Sequence, residues 1–285
     1  MQLLGNILID GLTYGMVLFI IAVGMSITLG LMRFINLAHG AFAMIGGYLT
    51  AALTREWDWS FFVALPLALV VTALVGAVLE ALILRHLYRR SELDQVLFTF
   101  GLTYVLIATI NAIAGPQVQL IALPAALTAS VDLGFRVIPV QRIVVVLVGI
   151  AVALLSAQVI GKTRFGVWLR AAVDHPATAA TLGIPIRVVQ CATFAFGAGL
   201  AALGGVLGAE LMPLEPYYAL KYLVLVLVVV AVGGMGSLMG ALAAAVLLGM
   251  LETATNYFTE GWGSIAFFVA MALLLVWRPN GLLRR

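Results

Sequence analysis

Lys162–Arg187 reads KTRFGVWLRAAVDHPATAATLGIPIR. It stands between two apolar blocks, residues 143–160 and 188–209. The stretch is basic, too polar to cross a bilayer and too short to be a domain. It therefore reads as a connection on one side of a membrane. Leu169–Val173 and Ala177–Gly183 are good helix formers. Pro176 is tolerated in a first turn, and Gly183 followed by Pro185 stops the helix. The spacing predicts a short helix over 176–182, parallel to the membrane, exposing Thr178 and small alanines. Such a helix can enter a groove of a partner; a basic loop also suits anionic lipid headgroups.

Composition points the same way. The 285 residues are 64% hydrophobic and 9% charged, with a mean hydropathy of +1.17. A soluble domain is about 45–50% apolar and about 25% charged, so the chain is a multi-span membrane protein. Its apolar runs are continuous rather than alternating, which excludes a barrel and leaves helices to satisfy the backbone in lipid. The single Cys191 excludes a disulfide framework. MQLLGNILIDG at the N-terminus lacks a basic n-region, so the first apolar block reads as a retained span.

Apolar blocks cover residues 7–31, 34–53, 61–84, 96–114, 143–160 and 188–209. From Tyr222 to Val276 apolarity hardly relents, with cuts at Gly233–Ser237 and Phe258–Gly263. That stretch holds two long or three short segments. The expectation is an all-α polytopic bundle of about eight spans, between seven and nine, forming one permease-like domain over residues 1–285. Broken or half helices are expected near Asn36–Tyr48 and Gly233–Gly240, where Gly-rich interruptions follow β-branched blocks. Small residues four apart, Gly11/Gly15, Gly204/Gly208 and Gly236/Gly240, equally fit close helix crossings. Pro116, Pro124 and Pro139 argue against a long helix between Gly115 and Gln141.

Charge gives orientation. Arg33, Arg85, Arg89, Arg90, Lys162, Arg164, Arg170, Arg187, Arg278, Arg284 and Arg285 fall on one side. Arg55, Arg136, Arg142 and Lys221 fall on the other. The first set is cytoplasmic by the positive-inside rule, which puts the C-terminus inside and the N-terminus outside. Trp57, Trp59 and Trp277 suit interfacial anchors.

No catalytic constellation is present in the sequence. Gly161-Lys162-Thr163 looks like the end of a phosphate-binding loop, but Ser156 stands where the first glycine is needed, and the preceding run is a span. His39, His86 and His175 are isolated, without metal-ligand spacing. No metal, cofactor or nucleic-acid site is expected. Asn36 and His39 are polar residues in an apolar segment beside Gly40; Asn36 can cap a helix starting there, whose free N–H groups favour a carboxylate. Both residues can equally satisfy only backbone. Glu80 and Glu252 are ionisable groups within apolar segments, costly and so functional candidates. Arg85 is near enough to pair with Glu80; for Glu252 a packing or hydrogen-bond role stands beside a functional one.

Three motifs together resemble the permease subunits of ABC importers for branched-chain amino acids, the LivH branch. They are Ile35-Asn36-Leu37-Ala38-His39-Gly40, the segment holding Thr163–Gly166, Leu169–Ala171 and Ala179–Ile184, and Gly233–Ser237 with Arg278–Leu282. The resemblance covers nearly the whole chain. It implies a bacterial inner-membrane protein that is not itself an enzyme, a second permease of the same fold, two cytoplasmic ATPases that bind the ATP, and a periplasmic binding protein. Leucine, isoleucine and valine are the implied cargo; related permeases carry urea, short amides or other amino acids, and Ala41 stands where many relatives have an acidic residue. On this reading Asn36, His39, Gly40, Gly234, Gly236 and Glu252 belong to the substrate pathway. Residues 162–187 form the ATPase-coupling segment, with Gly166, Arg170, Asp174, Ala179 and Gly183 as its key positions. A self-sufficient secondary transporter is the other reading, with Glu252 as its best-placed ionisable group.

Overall fold

A computed structural model describes residues 2–132, 134 and 136–283. Arg284 and Arg285, counted with the basic side above, lie outside the described residues. The chain is an all-α bundle of alternating helices. The first five are α1 (Gln2–Leu31), α2 (His39–Arg55), α3 (Phe61–Leu82), α4 (Glu92–Ala114) and the single turn α5 (Ala125–Thr128). A small hairpin, β1 (Ser130–Asp132) and β2 (Val137–Pro139), pairs Val131 with Ile138. Then come α6 (Val140–Lys162), α7 (Arg164–Asp174), α8 (Pro176–Thr181), α9 (Ile186–Leu207), α10 (Tyr218–Gly233), α11 (Leu238–Phe258) and α12 (Gly263–Trp277).

Six of these, α1, α3, α4, α6, α9 and α11, are long and apolar enough to cross a membrane; α10 and α12 are shorter apolar helices. The long apolar tail resolves into three segments, α10 to α12. The expected second block, starting at Phe34, begins later: helix α2 starts at His39, because Arg33–Ala38 is drawn out against α4.

α1 is the axis. Val17 to Val23 are all fully buried. It packs chiefly on α11 and α9, with α6 and α10 beside them. Lipid tails are as apolar as leucine, so helices here associate by close packing rather than by a hydrophobic drive. Glycine supplies that packing. A Cβ on Gly24 would fall 2.5 Å from the Gly197 carbonyl oxygen of α9. α3 and α4 sit at the periphery and turn most of their apolar faces outward.

The ends of the bundle differ. At one end lie Arg33, Arg85, the α6–α7–α8 connection and the turn between α10 and α11. Ser91 caps α4 there, its Oγ accepting from the Asp94 amide, while Glu92 and Asp94 suit the helix dipole. Glu80 is buried at this end. Arg85 Nη2 lies 3.3 Å from its Oε2, and the Tyr88 hydroxyl donates to its Oε1 at 3.1 Å. The expected Glu80–Arg85 pair is present. The opposite end carries the 115–139 connection, with only one turn of helix and the hairpin, as its prolines suggested.

Candidate functional site

Two regions carry functional geometry. The first is a vestibule of about 750 Å³ at the end opposite the basic one, lined by α1, α10, α11, α12 and the start of α6. Its rim is polar. Asp10, in the third turn of α1, accepts hydrogen bonds from Arg142 and, at 2.9 Å, from Arg136. The Tyr257 hydroxyl of α11 also donates to Asp10. One carboxylate therefore ties the hairpin and the start of α6 to α1 and α11. Lys221 on α10 pairs with Glu215. Tyr14 and Glu252 line the cavity one helical turn deeper, about 6 Å below Asp10 and Asn256 respectively. Glu252 is 9% exposed, and Tyr14 and Ser264 line the cavity with it.

The second region is the basic end. Thr163 closes α6 and caps α7, its Oγ1 accepting from the Gly166 amide. Gly166 is required here: a Cβ would sit 1.9 Å from the Ile160 carbonyl oxygen. Arg170 Nη1 donates to that same oxygen at 2.7 Å. Leu169, Ala172 and Val189 bury against one another beside Leu31 and Met32 of the α1 end. α8 follows with Pro176 in its first turn and ends in Gly183, whose φ of +79° favours glycine. Ala179 faces inward, while residues 174–178 and 180–183 are exposed, with Leu182 75% exposed at the tip. Asp174 faces Arg33 at 3.7 Å across an exposed gap. Gly166, Arg170 and Ala179 thus hold the segment to the bundle, and Asp174 and Gly183 lie on its free side.

The remaining expected positions are structural neighbours of α1 and α10. His39 Nε2 lies 3.0 Å from the Ile21 carbonyl oxygen. A carbonyl only accepts, so this nitrogen carries the proton. Asn36 Oδ1 accepts from the Ala38 amide, capping the turn that leads into α2 rather than the helix itself, while its Nδ2 has no partner. Gly40 lies against the Ala219 carbonyl, a contact a Cβ would reduce to 2.6 Å. Gly234 and Gly236 have φ of +96° and +82° in the α10–α11 turn, which packs on Gly30 and Gly281. Of the six expected pathway residues, Glu252 is the one that lines the vestibule.

Two features were missed from sequence. The Asp10 cluster gathers residues from four elements, and no local pattern announces it. The other is a ladder on α4. Gln95 Oε1 accepts from the Ile35 amide and Thr99 Oγ1 from the Leu37 amide, both at 3.1 Å; Thr103 Oγ1 donates to the Leu37 carbonyl at 3.2 Å. Its signal was legible: three polar residues four apart in an apolar helix.

Residues 7–277 match the family model described as branched-chain amino acid transport system / permease component. The chain belongs to this family. Members similar to it include the probable branched-chain amino acid transport permease protein LivH of Methanocaldococcus jannaschii, 24% identical over 97% of this chain and 91% of that protein. The high-affinity branched-chain amino acid transport system permease protein BraD of Pseudomonas aeruginosa is 26% identical over 98% and 95%. LivM of Escherichia coli, named in the same way, is 27% identical over 96% of this chain and 69% of its own. Family membership and the apolar helices make the chain a multi-pass membrane permease component.

Proposed function

We propose that the chain is one of two permease subunits of an ATP-driven importer in the inner membrane, moving branched-chain amino acids from a periplasmic binding protein to the cytoplasm. The observation that carries the reading is the full-length family match in a bundle with a vestibule at one end and a braced, exposed helix pair at the other. The basic end is cytoplasmic on this reading, since nine described Lys and Arg residues lie there, from Arg33 to Arg278. The N-terminus is then outside, the C-terminus inside, and the vestibule opens towards the periplasm.

Two cytoplasmic ATPases bind and hydrolyse the ATP, and this chain binds none. Residues 162–187 receive their motion. Exposed residues 174–178 and 180–183 supply the docking face, with Leu182 as its apolar tip. Gly166, Arg170 and Ala179 make the segment move with α6 and α9 rather than alone. A ligand or partner shifts an equilibrium only through contacts that differ between two states, and a loosely held segment would dissipate them. Cargo passes Glu252; Asn36, His39 and Gly40, with Gly234 and Gly236 beside the C-terminal end of α1, set the positions of the walls.

The test is reconstitution in liposomes with the partner permease, both ATPases and the binding protein. Leucine uptake should require ATP and the binding protein; uptake by this chain alone on an ion gradient would reject the reading. In that system Arg170→Ala should lower uptake about tenfold, the usual scale of a coupling energy, while ATP hydrolysis persists. Thr178→Cys in a Cys191→Ser background should react with an impermeant thiol reagent only from the cytoplasmic side. Labelling from outside would invert the orientation.

A further inference from the structure

Asp10, Glu252 and Glu260 line the vestibule, Glu215 borders it through Lys221, and the four carboxylates are not treated alike. Asp10 has two guanidinium partners, Glu215 has Lys221, and Glu260 is exposed to solvent. Glu252 pairs with no Lys, Arg or His among the described residues. Its Oε2 is buried and has no hydrogen-bond partner. Such a group is expensive inside an apolar bundle unless something answers its charge. Tyr14 and Ser264 share the cavity lining with it, while the cations there, Arg142 and Lys221, pair with Asp10 and Glu215 instead.

What the chain does supply is room. The cavity of about 750 Å³ lies within the roughly 300–1,000 Å³ of small-molecule sites. Leu211, Leu225 and Phe268 give it an apolar wall, and Arg142 and Lys221 stand on its lining with Glu252. Anion and cations at different levels of one apolar-walled cavity suit a small zwitterion with an aliphatic side chain.

We propose that Glu252 is the receptor for a primary ammonium group of the cargo, with the aliphatic part against Leu211, Leu225 and Phe268. This deepens the transport reading and rests on it for the physiological cargo. It also separates cargo classes: amino acids carry the ammonium group, whereas urea and simple amides offer only neutral N–H donors.

The experiment uses the full chain in lipid nanodiscs. A hydrophobic carbodiimide modifies buried carboxyl groups, and peptide mass spectrometry reads the labelled fraction at Glu252. Leucine and isopentylamine, which share the ammonium group and the branched chain, should slow that labelling severalfold at millimolar concentration. Isocaproate, which has the chain and a carboxylate, and urea should leave it unchanged. Equal slowing by isocaproate or urea, or no slowing by any compound, overturns the proposal. In the reconstituted transporter, Glu252→Gln should raise the KM for leucine about tenfold, the scale of one charge-assisted hydrogen bond. An unchanged KM overturns it as well. Failure of leucine uptake by the unmodified transporter, with ammonium protection of Glu252 retained, would reject the transport reading and leave the ammonium site standing.

Discussion

The two glycine-rich breaks look alike in sequence and are built on different physics. The first, Arg33–Tyr48, opens with an extended segment, Arg33–Ala38, that leaves the basic end and runs into the bundle. His39, directly after it, bonds to Ile21, ten residues before the end of α1, so the segment reaches about 15 Å inward. Irregular backbone at that depth has no water and must be satisfied by protein. Gln95, Thr99 and Thr103 do this from α4. The second break, Val232–Gly240, holds the turn between two antiparallel helices, α10 and α11, at the basic end. Its carbonyls are met by main chain: the Leu282 amide donates to Val232 at 2.8 Å and the Leu283 amide to Gly233. Glycine in the first allows a helix to start against a carbonyl; in the second it supplies positive φ and close approach.

The largest effect should come from the close approach that locks the second break. A Cβ on Gly30 would lie 2.0 Å from the Gly236 backbone, and backbone cannot step aside as a side-chain tip can. Overpacking costs about 1–3 kcal/mol even where side chains can adjust. Gly30→Val should therefore reach or exceed that range and leave little folded protein, read by fluorescence-detected size exclusion after heating in detergent. Normal yield and melting would mean that α1 and the turn are not held together as described.

The first break gives the next effect. Thr99→Val keeps the volume but leaves the Leu37 amide without its acceptor. An orphaned buried amide costs about 1–3 kcal/mol. A lower melting temperature is expected for Thr99→Val, while Thr99→Ser, which keeps the hydroxyl, should behave nearly as the parent. If Ser and Val lower it equally, packing of the methyl group rather than the hydrogen bond holds the segment.

These contrasts mark what could be read in the sequence. The spans were legible because twenty apolar residues in a row have few other uses, and the 176–182 helix because Pro176, Gly183 and Pro185 bracket it. α8 indeed runs from Pro176 to Thr181. The Glu80–Arg85 pair was legible because its members are five residues apart. The start of α2 was misplaced because Phe34, Ile35 and Leu37 are apolar whether helical or extended. Only α4, sixty residues later, decides between the two. The vestibule was least legible: Glu252 stood out alone, but Tyr14, Arg142, Tyr222 and Ser264 come from four other helices, and an apolar sequence does not say which faces meet.

The smallest effect should fall on the carbonyls of the second break. Truncation after Pro279 removes the amides that meet Val232 and Gly233, just as Thr99→Val removes an acceptor at the first break. The consequences should differ, because the α10–α11 turn lies at the basic end of the bundle, where water can replace a lost donor. The net worth of a replaceable hydrogen bond is about 1 kcal/mol, below the cost of an orphan in the interior. The truncated chain should therefore melt only slightly below the parent and less far below it than Thr99→Val. The opposite order would mean that the tail is sealed from water and that the second break, not the first, is the buried one.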